Sequence, residues 1–85
     1  MGRTIKLTQN DLIDTHILVV EYGYTVKYIA KNIMNVSQST LSTRYKYFKY
    51  ELELGDIPGI DEKLDTSRKK LKRLGFEIQV RDKLN

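Results

Sequence analysis

Residues 25–48 read TVKYIAKNIMNVSQSTLSTRYKYF, and their pattern decides the fold. Thr25 is placed as an N-cap whose side-chain oxygen accepts a backbone N–H of the first turn. Behind it Ile29, Ala30 and Ile33 fall at i, i+1 and i+4, one apolar face of a helix. Ala30 supplies the small side chain that two steeply crossing helices need where their backbones approach. Asn35 stands where the chain must reverse, and asparagine tolerates the left-handed conformation better than most residues. Val36 is then the apolar plug under the turn, and Ser37 the next N-cap. Leu41, Tyr45, Phe48 and Leu52 recur at i, i+4, i+7 and i+11, so a second helix follows. The spacing predicts a helix-turn-helix.

The outward residues of that second helix carry the functional signal. Gln38, Ser39, Thr40, Ser42 and Thr43 occupy its first two turns, Arg44, Lys46 and Lys49 follow, and no acidic residue occurs from Ser37 to Tyr50. Gln, Ser and Thr both donate and accept hydrogen bonds, which reading base edges in a major groove requires. The cations further along suit phosphate, as do Ser37 and the helix N-terminus itself. A buried interaction helix would carry apolar residues here, and an ordinary solvated helix would mix Glu with Lys. The expected partner is therefore double-stranded DNA, although a merely polar solvated face is the plainer alternative.

From His16 to Tyr45 the chain resembles the helix-turn-helix regulators of the stage III sporulation protein D family, small transcription factors of spore-forming bacteria. The matching residues are Thr25-Val26-Lys27, Ile29-Ala30-Lys31, Val36-Ser37 and Ser39-Thr40. The resemblance implies that Ser37 to Arg44 opens a recognition helix. It departs in the turn, where Met34-Asn35 stands in place of a single glycine, one residue more than the family pattern. The Ser37-x-Ser39-Thr40-Leu41 run is also similar, more weakly, to the DNA-binding tails of site-specific recombinases.

Eighty-five residues allow one small domain. The expected architecture is mainly α: a helix-turn-helix core over residues 8–54, a basic helix over 60–75, and a strand or tail over 76–85. A chain this short buries a modest core, so closely packed helices or association with a second copy must supply stability. The absence of cysteine excludes a disulfide framework and a thiolate metal site. No apolar run approaches the roughly 18 residues of a membrane span. The start lacks the apolar region of a secretion signal, and Lys6 stands where a myristoylation signal has Ser or Thr. A cytoplasmic protein is expected.

The net charge of +4 is unevenly spread. Residues 37–50 carry +3, residues 51–65 carry −5, and residues 66–85 carry +5. Two basic blocks flank an acidic one, as expected of two phosphate-contacting surfaces with a spacer between them.

Before the core motif, Met1 to Leu7 reads as an extended arm offering Arg3 and Lys6, or as a loose terminus. Thr8 and Asp11 form a capping-box start. Leu12, Ile13, His16, Ile17 and Val20 then repeat at helical spacing, and Gly23 is expected to close the helix as its C′ residue. His16, the only histidine, falls on the apolar side and reads as a hydrogen-bonded core residue rather than a metal ligand. Tyr47 and Tyr50 are expected at the boundary of the core.

After it, Gly55 ends the long helix and Asp56-Ile57-Pro58-Gly59 makes a turn. A fourth helix is expected from about Asp61 to Leu74, with Ile60, Leu64, Leu71 and Leu74 as its apolar stripe and Gly75 closing it. Its acids come early and its cations late, which suits the helix dipole. Five cations between Arg68 and Arg73 exceed that need, and the resemblance implies that Arg68, Lys69, Lys70, Lys72 and Arg73 form a second DNA contact. Phe76 to Val80 alternates as a half-buried strand does, to be paired with Thr4 to Leu7 or with a second copy.

No chemistry is expected. A nucleophile–base pair would need His16, no glycine-rich phosphate loop occurs, and the acids from Glu51 to Asp65 lack the spacing of a cation loop. Neither cofactor, metal nor small-molecule substrate is expected. The leading reading is a sequence-specific transcription regulator of bacterial or phage type, monomeric or homodimeric. One alternative is a protein-interaction adaptor, encoded by a phage or mobile element, docking through the acidic 51–65 face. The other is an accessory DNA-binding factor in recombination or replication.

Overall fold

A computed structural model describes residues 7–79, and these are mainly helical. Helix α1 spans Gln9–Val20. Helix α2 spans Val26–Tyr28 and runs directly into a π-helical stretch, Ile29–Met34. Helix α3 spans Gln38–Leu54 and α4 spans Ile60–Leu74.

Local chemistry sets most of these boundaries. At α1 the Thr8 side chain accepts from Asp11 N–H while the Asp11 carboxylate accepts from Thr8 N–H, a closed capping box. Thr25 Oγ1 accepts from Tyr28 N–H, and Ser37 Oγ accepts from Thr40 N–H. Gly55 and Gly75 close α3 and α4 in the left-handed region, at φ 73° and 94°. The end of α1 differs from expectation. Its C-cap is Glu21, so Gly23 lies two residues past the cap rather than at C′.

Between α2 and α3 the chain turns at Asn35, the one non-glycine residue with positive φ among those described, at 58°. Asn35 and Val36 both donate backbone N–H groups to Ala30 O, the latter at 2.9 Å. A π turn holds one residue more than an α turn. The reversal after the π-helical stretch falls at Asn35, as expected.

The core forms where the helices cross. Ile13, Ile17, Leu18, Ile29, Ala30 and Leu41 are each at most 1% exposed, with Tyr45, Phe48, Ile57 and Leu71 packed around them. Ala30 is buried in this core. Helix α1 lies at the centre, with α3 and α4 both packed on it, and α4 packs on α1 rather than on α3.

Four apolar assignments fail. Val20 is 62% exposed and Leu74 65%, because each ends its helix beyond the reach of a neighbouring element. Tyr47 and Tyr50 stand clear of the boundary, at 63% and 62% exposed. In their place Leu18, Thr15 and Ser67 are buried; Thr15 donates its hydroxyl to Asp11 O at 2.8 Å, which makes a polar residue tolerable in the core. His16 is half-buried rather than buried.

No strand occurs among the described residues. Phe76 to Gln79 run irregularly beside the segment that follows α1, with Gln79 N–H donating to Tyr22 O at 2.6 Å and Phe76 edge-on to Tyr24. Residues 4–6 of the expected pairing segment Thr4 to Leu7, and Val80, lie outside the described residues.

Candidate nucleic-acid interface

The candidate surface begins at the Ser37 cap. Ser37 Oγ receives Thr40 N–H at 3.2 Å and donates to Thr40 Oγ1 at 2.7 Å, with Ser39 Oγ 3.5 Å away. Ser37 is therefore committed to starting α3, and the Thr40 hydroxyl retains its proton for an outside acceptor. Gln38, Ser42 and Thr43 have no protein hydrogen-bond partner for their side chains among the described residues. All five expected base-reading residues are exposed.

They do not form one group. Ser39, Thr40 and Thr43 share a shallow depression with Arg44 on the outward face of α3. Gln38 instead lines a notch with Lys27, Ala30, Lys31, Asn35, Val36 and Ser37, between the π-helical stretch and the start of α3. Lys27 and Lys31 thus join the surface although composition alone gave them no role. Their i, i+4 spacing on the polar side of the helix was the available signal.

The cations divide by what they already touch. Arg44 donates from Nη2 to Leu7 O at 3.3 Å, tying the entry of the chain to α3. Lys49 Nζ sits 4.9 Å from the Tyr45 ring centroid. Lys46 is exposed. On α4, Arg68 pairs with Glu21 at 2.7 Å, Lys70 with Asp14 at 2.6 Å and Lys69 with Asp65 at 3.5 Å. Lys72 and Arg73 are exposed and have no acidic partner among the described residues. The block read as five equivalent phosphate contacts is thus two unengaged cations, one loosely paired at the surface and two that hold α4 to α1.

Beneath α3, His16 Nδ1 lies 3.1 Å from the Tyr45 hydroxyl, with the Tyr45 and Phe48 rings each 6.0 Å from the imidazole. Burial raises the Tyr45 phenol above its ordinary range and lowers the imidazole. This contact joins α3 to α1 on the side away from Ser39, Thr40 and Thr43.

Among the described residues no three acidic or histidine side chains converge to hold a metal ion, and no helix is long and apolar enough to cross a membrane. No protein-family model, curated protein or solved structure matches this chain.

Proposed function

We propose that this protein is a sequence-specific regulator of transcription that binds double-stranded DNA. In this reading α2 with its π-helical extension, the Asn35 turn and α3 act as a helix-turn-helix, and α3 lies in the major groove. One observation carries it: the first two turns of α3 expose Ser39, Thr40 and Thr43 around one depression with Arg44, over a segment in which no acid occurs before Glu51. A groove about 12 Å wide takes roughly eight residues of helix at 1.5 Å each, which covers this polar segment. Arg44 at its end, and Lys27 and Lys31 at the notch, stand where phosphates would flank the groove. Lys72 and Arg73 add a second phosphate contact. Membership of the sporulation regulator family, and a place on the bacterial nucleoid, belong to the same proposal.

The test is selection of bound duplexes from a random pool at near-physiological salt. Recovery of a consensus supports the reading, with affinity falling steeply as salt rises. Replacing Ser39 and Thr43 by Ala should cost about 1–3 kcal/mol per lost base contact on the consensus and much less on unrelated DNA. Equal losses on both would remove these side chains from base reading.

A further inference from the structure

The distal half of α3 carries a surface that the polar face leaves unexplained. Tyr47, Tyr50 and Leu54 are 63%, 62% and 57% exposed and follow each other at i, i+3 and i+7, one stripe of a helix. Beside it Lys46, Lys49 and Glu53 line a groove together with both tyrosines. A major groove is spent after about eight residues, so Tyr50 to Leu54 lie past its far wall. Glu51 and Glu53 would also repel phosphate there.

We propose that this surface binds a second copy of the same chain, with the two α3 helices antiparallel and related by a two-fold axis near Tyr50. The charge order is the argument for this occupant. Along α3 the cations Lys46 and Lys49 precede Tyr50 and the acids Glu51 and Glu53 follow it. Antiparallel pairing about residue 50 sets each basic half against the other copy's acidic half. Lys46 and Glu53 are seven residues apart, about 20° around the helix, so they share one flank. In an antiparallel pair that flank meets itself, and Lys46 reaches the second copy's Glu53 twice over. Tyr50 meets Tyr50, and Tyr47 meets Leu54. A parallel arrangement would oppose like charges instead.

The stripe is small against the ~800 Å² per partner of a standard interface, so the free dimer is weak and forms at high protein concentration.

Sedimentation velocity of the whole chain over rising concentration tests the pairing without any DNA. Wild type should move from monomer to dimer. Lys46→Glu and Glu53→Lys, both at exposed sites and checked for helicity by circular dichroism, should each stay monomeric. An equimolar mixture of the two variants should dimerise at least as well as wild type, because both cross-copy pairs are then restored. Since the chain has no cysteine, Tyr50→Cys should also form a disulfide dimer under mild oxidation, and Glu62→Cys should not. A wild type that stays monomeric throughout, or variants that dimerise unchanged, overturns the proposal. Loss of DNA binding by Lys46→Glu in a chain that never dimerises would assign the surface to DNA instead. These readouts report self-association alone, so they fail or succeed independently of DNA recognition.

Discussion

The Tyr45 hydroxyl lies 3.1 Å from His16 Nδ1, joining the helix with the outward polar face to the central helix beneath it. Burial lowers the His16 pKa below the ordinary 6.5, with Glu21 opposing and Lys49 and Arg68 adding to the effect. The unfolded chain therefore binds this proton more readily than the folded one. Stability is full above pH 6.5 and falls as the pH drops from there through the lowered folded value. The thermal midpoint should decline between neutral pH and the upper edge of carboxylate titration, and His16→Gln should flatten that slope. A histidine titration followed by NMR with its midpoint at or above 6.5 would remove this account.

A second junction holds α4. Asp14 Oδ1 accepts from Ser67 Oγ and Oδ2 from Lys70 Nζ, both at 2.6 Å, with the Asp14 side chain 13% exposed. Asp14→Ala removes the acceptor from a buried hydroxyl and should cost about 2 kcal/mol. Lys70→Met keeps most of the packing and loses a partly solvated pair, so it should cost under about 1 kcal/mol. Amide exchange should locate the Asp14→Ala loss in α4, since α1 and α3 keep their mutual contacts. Uniform loss of protection would mean that α4 does not open separately.

Asn35 offers a cleaner backbone test. At φ 58° it holds the turn from the π-helical stretch to α3. Asn35→Ala should destabilise by about 1 kcal/mol, the left-handed cost for a residue with a Cβ, while Asn35→Gly should be near neutral in denaturant melts. Equal effects from both would point to the Asn side chain rather than to the backbone.

What the chain disclosed in advance, and what it withheld, follows from the range of each interaction. Caps at Thr8, Thr25 and Ser37 and left-handed closures at Asn35, Gly55 and Gly75 involve partners within a few residues, and all were legible. So was the core face of α3, because Leu41, Tyr45 and Phe48 repeat in register. Val20 and Leu74 satisfy the same periodicity but sit at helix ends, where no neighbour arrives to cover them. The Asp14–Ser67–Lys70 junction links residues more than fifty apart, and no local pattern announces it. That junction also changes the reading of the site. A run of cations in sequence looks uniform until the fold shows which are already paired.

The α4 cations therefore predict an order rather than a sum. If α4 contacts phosphate, Lys72→Gln and Arg73→Gln should each reduce the magnitude of the slope of log affinity against log salt by about 1. Neither should alter stability, since neither side chain has an acidic partner among the described residues. Arg68→Gln and Lys70→Gln should act the other way round. Arg68 is held by Glu21 and Lys70 by Asp14, so each must break an ion pair before it can neutralise a phosphate. Their loss should leave the slope nearly unchanged and lower the melting temperature slightly. Salt titrations of the four single variants on one duplex, beside thermal melts, decide the matter. Equal slope changes for all four would mean that α4 leaves α1 when DNA binds, and the Asp14 and Glu21 contacts would then be a latch rather than a fixed seam.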